Sequence, residues 1–164
     1  MKIIFLDIDG VLNYKGCKKR AYGYYFVDDE KIKLLKELVN KTSAKIVLSS
    51  TWRLERFPDC KEAAPGSYKL YHKLVRKLKE YDLQIFSHTP ILPKRYRGRE
   101  IEQWINDWQG ELIESFVILD DNDDMEPFMD RLVQTSWFTG LTREDVDEAV
   151  QKLNVNKNRG KNND

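Results

Sequence analysis

The sequence predicts an α/β protein of three layers, with a central parallel sheet of about five strands between helices. Three observations lead there. Several short runs, such as Ile3-Ile4-Phe5-Leu6 and Ile46-Val47-Leu48, are apolar throughout rather than alternating, as strands covered on both faces require. Segments with helical spacing separate them. The runs also end in polar, chemistry-bearing residues, and in open α/β sheets ligands bind at that carboxyl rim.

Taken in order, the first strand covers residues 2–6 and runs into Asp7-Ile8-Asp9-Gly10. Residues 13–26 mix Lys15, Lys18, Lys19 and Arg20 with Tyr14, Tyr22, Tyr24 and Tyr25, and Gly16 and Gly23 suit a small β-hairpin flap. Asp28 and Asp29 cap a helix whose apolar face is Ile32, Leu35, Leu38 and Val39. The second strand, residues 44–48, ends in Ser49-Ser50-Thr51-Trp52-Arg53. A loop over 58–66 precedes a long helix over 68–81. The third strand, 83–86, ends in Ser87-His88-Thr89-Pro90, and a basic loop over 91–98 leads to a helix over 99–108. The fourth strand, 116–119, runs into Asp120-Asp121, and a helical turn over 125–129 follows. The fifth strand, 132–135, and a last helix, 143–153, complete one domain over residues 1–153; the polar tail 154–164 is expected to be disordered.

Composition narrows the class. Hydrophobic residues make up 41% and charged residues 34% of the 164, an ordinary globular balance, and the net charge of +1 favours no particular partner. No apolar run is long enough to span a membrane, and with the first strand at residues 2–6 no signal peptide is expected. Cys17 and Cys60 form no CxxC pair, so no zinc site or disulfide framework is expected and a cytoplasmic setting is the default.

Side chains alternate along a strand, so Asp7 and Asp9 project into one space at the strand end. Two close carboxylates require a cation or a shared proton. Asp120 and Asp121, with Asp124 as a further acid, end the fourth strand at the same rim. Oxygen ligands of this kind suit Mg²⁺. Ser50, with Ser49, Thr51 and Arg53 beside it, and the basic residues Lys94, Arg95, Arg97 and Arg99 provide a hydroxyl and cations for a phosphate. An Asp beside Mg²⁺ can attack phosphorus, and a second carboxylate can transfer the proton. His88 follows the third strand at this rim; it either touches substrate or makes a local hydrogen bond.

These residues resemble the signature of the haloacid dehalogenase (HAD) phosphohydrolases, a Rossmann-like superfamily. Residues 5–12, Phe-Leu-Asp-Ile-Asp-Gly-Val-Leu, resemble its first motif; 46–50, Ile-Val-Leu-Ser-Ser, its second; Arg97-Gly98 its third; and 117–121, Val-Ile-Leu-Asp-Asp, its acidic fourth. The resemblance implies Asp7 as nucleophile and Mg²⁺ ligand. It implies Asp9 as general acid/base with its main-chain carbonyl on the metal, Ser50 on the phosphoryl oxygens, Arg97 as the neutralising cation, and Asp121 with Asp120 in the metal shell. Gly10, Thr51, Arg53, Lys94 and His88 are the expected substrate contacts. Arg97 stands where the family more often has Lys, which leaves Lys94 and Arg99 as rivals. Ser50-Thr51-Trp52-Arg53, Arg97-Gly98-x-Glu100-Ile101 and Gly140-Leu141-Thr142 are similar to small HAD-type domains of RNA-repair proteins.

Neither insertion point has room for a large cap domain, so the expected site is open and takes a bulky phosphorylated substrate. A single-stranded nucleic-acid end or a nucleotide fits that expectation. The flap tyrosines either stack bases, with Lys18, Lys19 and Arg20 on the backbone, or pack on the body. The implied activity is hydrolysis of a phosphate monoester; a nucleotidase, a small-molecule phosphatase and a phosphotransferase remain open alternatives.

Overall fold

The computed structural model describes residues 1–56 and 68–154. The expected loop over 58–66, with Cys60, and the tail from 155 onward lie outside them. The elements are β1 (Lys2–Leu6), β2 (Arg20–Ala21), β3 (Tyr24–Tyr25), α1 (Asp29–Thr42), β4 (Lys45–Leu48), a 3₁₀ turn (Thr51–Arg56), α2 (Tyr68–Lys79), β5 (Ile85–His88), α3 (Arg97–Asp107), β6 (Ser115–Asp120), a second 3₁₀ turn (Met129–Arg131), β7 (Leu132–Gln134) and α4 (Arg143–Asn154).

Five strands form one parallel sheet in the order β5-β4-β1-β6-β7. The strand β1 is central, with Leu6 in register with Leu48 on one side and Leu119 on the other. Because its residues alternate, Ile4 and Leu6 enter one core and Ile3 and Phe5 the other. The first core is closed by Leu35 and Leu38 of α1, Leu70, Leu74 and Leu78 of α2, and Val146 and Ala149 of α4. The second is closed by Ile101 and Trp104 of α3, whose ring meets Phe5 edge-on at 5.4 Å. Both faces of β1 are therefore dry, which explains its unbroken apolar run. The order in which strands are added reverses between β1 and β6, all of them parallel, and that switch point lies beside Asp7 and Asp120.

Several boundaries differ from the sequence expectation; the helix expected over 68–81, for one, ends at Lys79. The third strand starts at Ile85, not 83, and extends to His88. Asp82 takes φ +53° and the Leu83 amide returns to the Leu78 carbonyl, so these residues finish the preceding turn before the strand begins. Helix α3 starts at Arg97, not 99. The Arg97 amide donates to Asp124 Oδ2 and the Gly98 amide to the Asp124 carbonyl, so a residue 27 positions away stabilises the helix start. The expected helical turn over 125–129 instead lies at Met129–Arg131, after Pro127, which has no amide proton to donate.

The flap is a two-stranded hairpin, and its turn residues Tyr22 (φ +50°) and Gly23 (φ +86°) have the positive φ pair of a tight two-residue turn. Among the described residues it is the one insertion between β1 and α1, and no large cap is present. No helix among them is long and apolar enough to cross a membrane.

Candidate active site

At the end of β1 the chain turns back sharply. The Ile8 carbonyl accepts the amides of Val11, Leu12 and Asn13, at 3.2, 2.9 and 3.2 Å. Gly10 sits inside this turn with φ +75°, and a Cβ there would stand 2.3 Å from Asp121 Cγ. Only glycine lets the turn lie this close to the end of β6. The Gly10 carbonyl is held by the Thr135 hydroxyl at 2.7 Å, from just beyond β7.

This packing brings three carboxylates together. Asp7, Asp120 and Asp121 each offer an oxygen within 4.8 Å of the others. Asp7 and Asp120 are buried. Arg97, carried in by α3, places Nη1 3.0 Å from Asp7 Oδ1 and 2.8 Å from Asp120 Oδ2. Burial opposes the Arg97 charge, but Asp7 and Asp120 outweigh it and hold its pKa above the ordinary value. Burial pushes the Asp120 carboxyl up to about 8, and the nearby Asp7 adds to the push. Asp121 is raised for the same two reasons. One guanidinium thus faces three acids, and the cluster lacks positive charge. Its donors are all hard oxygens, which fit Mg²⁺ and not a thiophilic metal.

Asp9 has a different environment. Its Oδ1 accepts Asn13 Nδ2 at 2.7 Å and its Oδ2 accepts Trp52 Nε1 at 2.8 Å. Burial raises its pKa; the bonds from Asn13 and Trp52 pull the other way.

The second strand ends where expected. The amides of Ser49 and Ser50 both reach the Leu6 carbonyl, at 3.0 and 3.3 Å, so the two serines lie beside the start of the Asp7 turn. Both are fully buried. The Ser50 hydroxyl accepts the Trp52 amide at 3.4 Å, and the Ser49 hydroxyl has no partner among the described residues.

The expected substrate contacts divide. Gly10 is at the centre of the site, and Thr51 is exposed next to Ser50. Arg53 is not available to a substrate. Its five N–H donors are all engaged, by the carbonyls of Ser49, Ser50, Thr89 and Pro90 and by Glu100. Glu100 Oε1 also accepts the Leu92 amide at 3.0 Å, so this buried ion pair ties α3, and Arg97 with it, to the end of β4. His88 accepts or donates a bond with the Tyr71 hydroxyl at 2.8 Å, and burial, helped by Arg56 and Arg53, lowers its pKa to about 4. It is a neutral residue at neutral pH. Lys94 is exposed and Arg99 pairs with Glu102. Among the described residues, Arg97 is the cation in contact with the acids.

In the flap, Tyr14 lies under Lys31, and Tyr25 is covered by the Arg20 guanidinium at 3.5 Å and by the edge of Trp137. Lys19 pairs with Asp29. Tyr22 and Tyr24 remain exposed.

Sequence reasoning assigned no role to Asn13 or Thr135, and Glu100 entered only within the motif at 97–101, without its partner Arg53. Two had a usable signal: Asn13 follows Asp9 by four residues across a glycine turn, and Glu100 shares the apolar face of α3 with Ile101 and Trp104. Thr135 had none.

An open parallel sheet with Asp-x-Asp-Gly at the end of its central strand, acids on the neighbouring strand and a helix-borne cation opposite defines a HAD-type domain, a class of hydrolases and phosphotransferases. The family is narrower still. Residues 3–146 match the model of the HAD domain in Swiss Army Knife RNA repair proteins, and the chain belongs to that family. A comparison with curated proteins gives no match.

Proposed function

We propose that the protein is a Mg²⁺-dependent phosphatase that hydrolyses a phosphate monoester through an aspartyl-phosphate on Asp7. The observation that carries this reading is the cluster of Asp7, Asp120 and Asp121 with Arg97 across Asp7 and Asp120. Mg²⁺ held by Asp7, Asp120, Asp121 and the Asp9 carbonyl would supply the missing charge and draw electron density from a phosphoryl oxygen.

The protein residues do the rest. Asp7 attacks phosphorus, forming one P–O bond as the bond to the leaving oxygen breaks. Asp9 gives its proton to that oxygen, then takes one from the water that attacks the aspartyl-phosphate, which returns Asp7 and releases phosphate. Arg97 stabilises charge on the transferring group, and the serines at the end of β4, Ser50 first, donate to its oxygens. A nucleic-acid end is the favoured substrate. The family's occurrence in RNA repair proteins and the absence of a large cap among the described residues support it.

The test is phosphate release from 3′- and 5′-phosphorylated oligonucleotides, mononucleotides and sugar phosphates, with Mg²⁺ and with EDTA. Asp7→Asn is expected to lower turnover by more than about 10⁴-fold, as loss of a nucleophile does. Equal activity in this variant and wild type would sink the mechanism. Faster turnover of mononucleotides than of oligonucleotides would remove the nucleic-acid end.

A further inference from the structure

Asp9 is oriented by two neutral donors from different parts of the chain. Asn13 comes from the turn after β1, and Trp52 from the 3₁₀ turn after β4, 43 residues from Asp9. Each binds one carboxyl oxygen, so together they fix the plane of the group. Among the described residues Asp9 has no ion pair.

The Asn13 amide has no freedom to turn. It is fully buried, its Oδ1 accepts the Gly10 amide at 3.2 Å, and its Nδ2 serves both Asp9 and the Tyr25 carbonyl, the latter at 3.3 Å. Reversing the amide would set its oxygen against a carboxylate and a carbonyl and its NH₂ against an N–H, so all three partners require this orientation. Trp52 is likewise fixed, buried and stacked on Phe26 with ring centroids 6.3 Å apart. Tyr25 belongs to the flap, and Phe26 directly follows it and donates its amide to the Lys19 carbonyl at 3.0 Å. Both donors therefore rest on the flap, whereas Asp7 faces Arg97 and the other acids.

We propose that Asn13 and Trp52 are positioning residues that aim the Asp9 carboxyl at the leaving oxygen, so that the alcohol portion of the substrate departs on the flap side. This rests on Asp9 acting as the acid in the reaction above. Neutral donors suit the task. They hold direction without the strong bias toward the carboxylate that a cation would impose.

The step moves one proton, from Asp9 to the alkoxide oxygen as its bond to phosphorus breaks. An alkyl ester needs that proton, whereas a p-nitrophenyl ester leaves as a stable phenolate without it. The experiment measures kcat/KM, which reports the steps up to leaving-group departure, for an alkyl phosphate and for p-nitrophenyl phosphate. The variants are Asp9→Asn, Asn13→Ala and Trp52→Phe; the last keeps an aromatic ring, smaller than the indole, against Phe26 and removes the N–H donor. Asn13→Ala and Trp52→Phe are expected to lose about 10- to 100-fold on the alkyl ester and less than about 3-fold on the aryl ester, within the range general-acid catalysis supplies. Asp9→Asn is expected to show the same preference more strongly. Equal losses on both esters in Asn13→Ala and Trp52→Phe, with Asp9→Asn still discriminating, would overturn the inference alone. Failure of Asp9→Asn to discriminate would overturn the acid role and the inference with it. If Asn13→Ala does not fold, Trp52→Phe decides.

Discussion

The two halves of the site are built on opposite electrostatic plans. Around Asp9, every oxygen of the carboxyl meets a neutral donor and no ion pair is present among the described residues. Around Asp7, three carboxylates gather and one guanidinium pairs with two of them. The first arrangement is complete as a protein structure. The second is not, because like charges in a buried space need a further cation or a retained proton. The difference teaches that the acid cluster depends on a cation or a proton beyond its own guanidinium, while Asp9 is oriented by the protein's own donors.

The contrast can be broken hardest at Arg97. Arg97→Ala removes the protein's own positive charge from the cluster and is expected to lower kcat by about 10²–10³-fold on both alkyl and aryl phosphates, a loss that follows charge on the phosphoryl group and not the leaving group. Steady-state kinetics on the two esters separates this from the Asn13 and Trp52 variants. Next comes the support of Arg97. Glu100→Gln leaves the Arg53 charge buried without its counter-ion, and the expected cost of about 3 kcal/mol lowers the melting temperature by roughly 6–12 °C. A melting curve checks it.

A third effect depends on pH. The folded Asp120 has its pKa pushed from 3.8 to about 8, so the folded state holds a proton that the unfolded chain gives up. Its contribution to stability is full below about pH 4 and is lost as pH rises toward 8. In EDTA, thermal stability is therefore expected to fall across that window. Asp120→Asn is expected to flatten the fall, and Mg²⁺ to reverse it in wild type but much less in the variant. Melting temperatures from pH 4 to 8, with and without Mg²⁺, decide the matter. The smallest effect belongs to Arg99→Ala. Exposed and paired only with Glu102, it is expected to change stability by less than about 0.5 kcal/mol and leave turnover on small esters nearly unchanged.

Much of the fold was legible because its signals are local. The unbroken run in β1, the helical spacing of Ile32, Leu35 and Leu38, and the Asp28 cap, which accepts the Glu30 amide at 2.8 Å, each follow from neighbours in the chain. The acid cluster was legible for a related reason: in a parallel sheet, residues that end adjacent strands share one rim. The start of α3 was misplaced because its stabilising group, Asp124, lies 27 residues ahead of Arg97. Arg53 was expected to meet substrate because a basic residue beside Ser50 suits a phosphate. Sequence has no means of showing that four carbonyls and Glu100 already use its donors.

By itself, then, the sequence determined the parallel α/β architecture and the strand-end rim where Asp7, Asp120 and Asp121 gather, through periodicity and strand-end composition. Only the tertiary structure put Arg97, and not Lys94 or Arg99, against the acids, engaged the Arg53 donors within the protein, and brought Trp52 to Asp9. The physical reason is one of range. Periodicity reports which face a residue shows, but which donor meets which acceptor depends on how elements far apart in the chain close on one another.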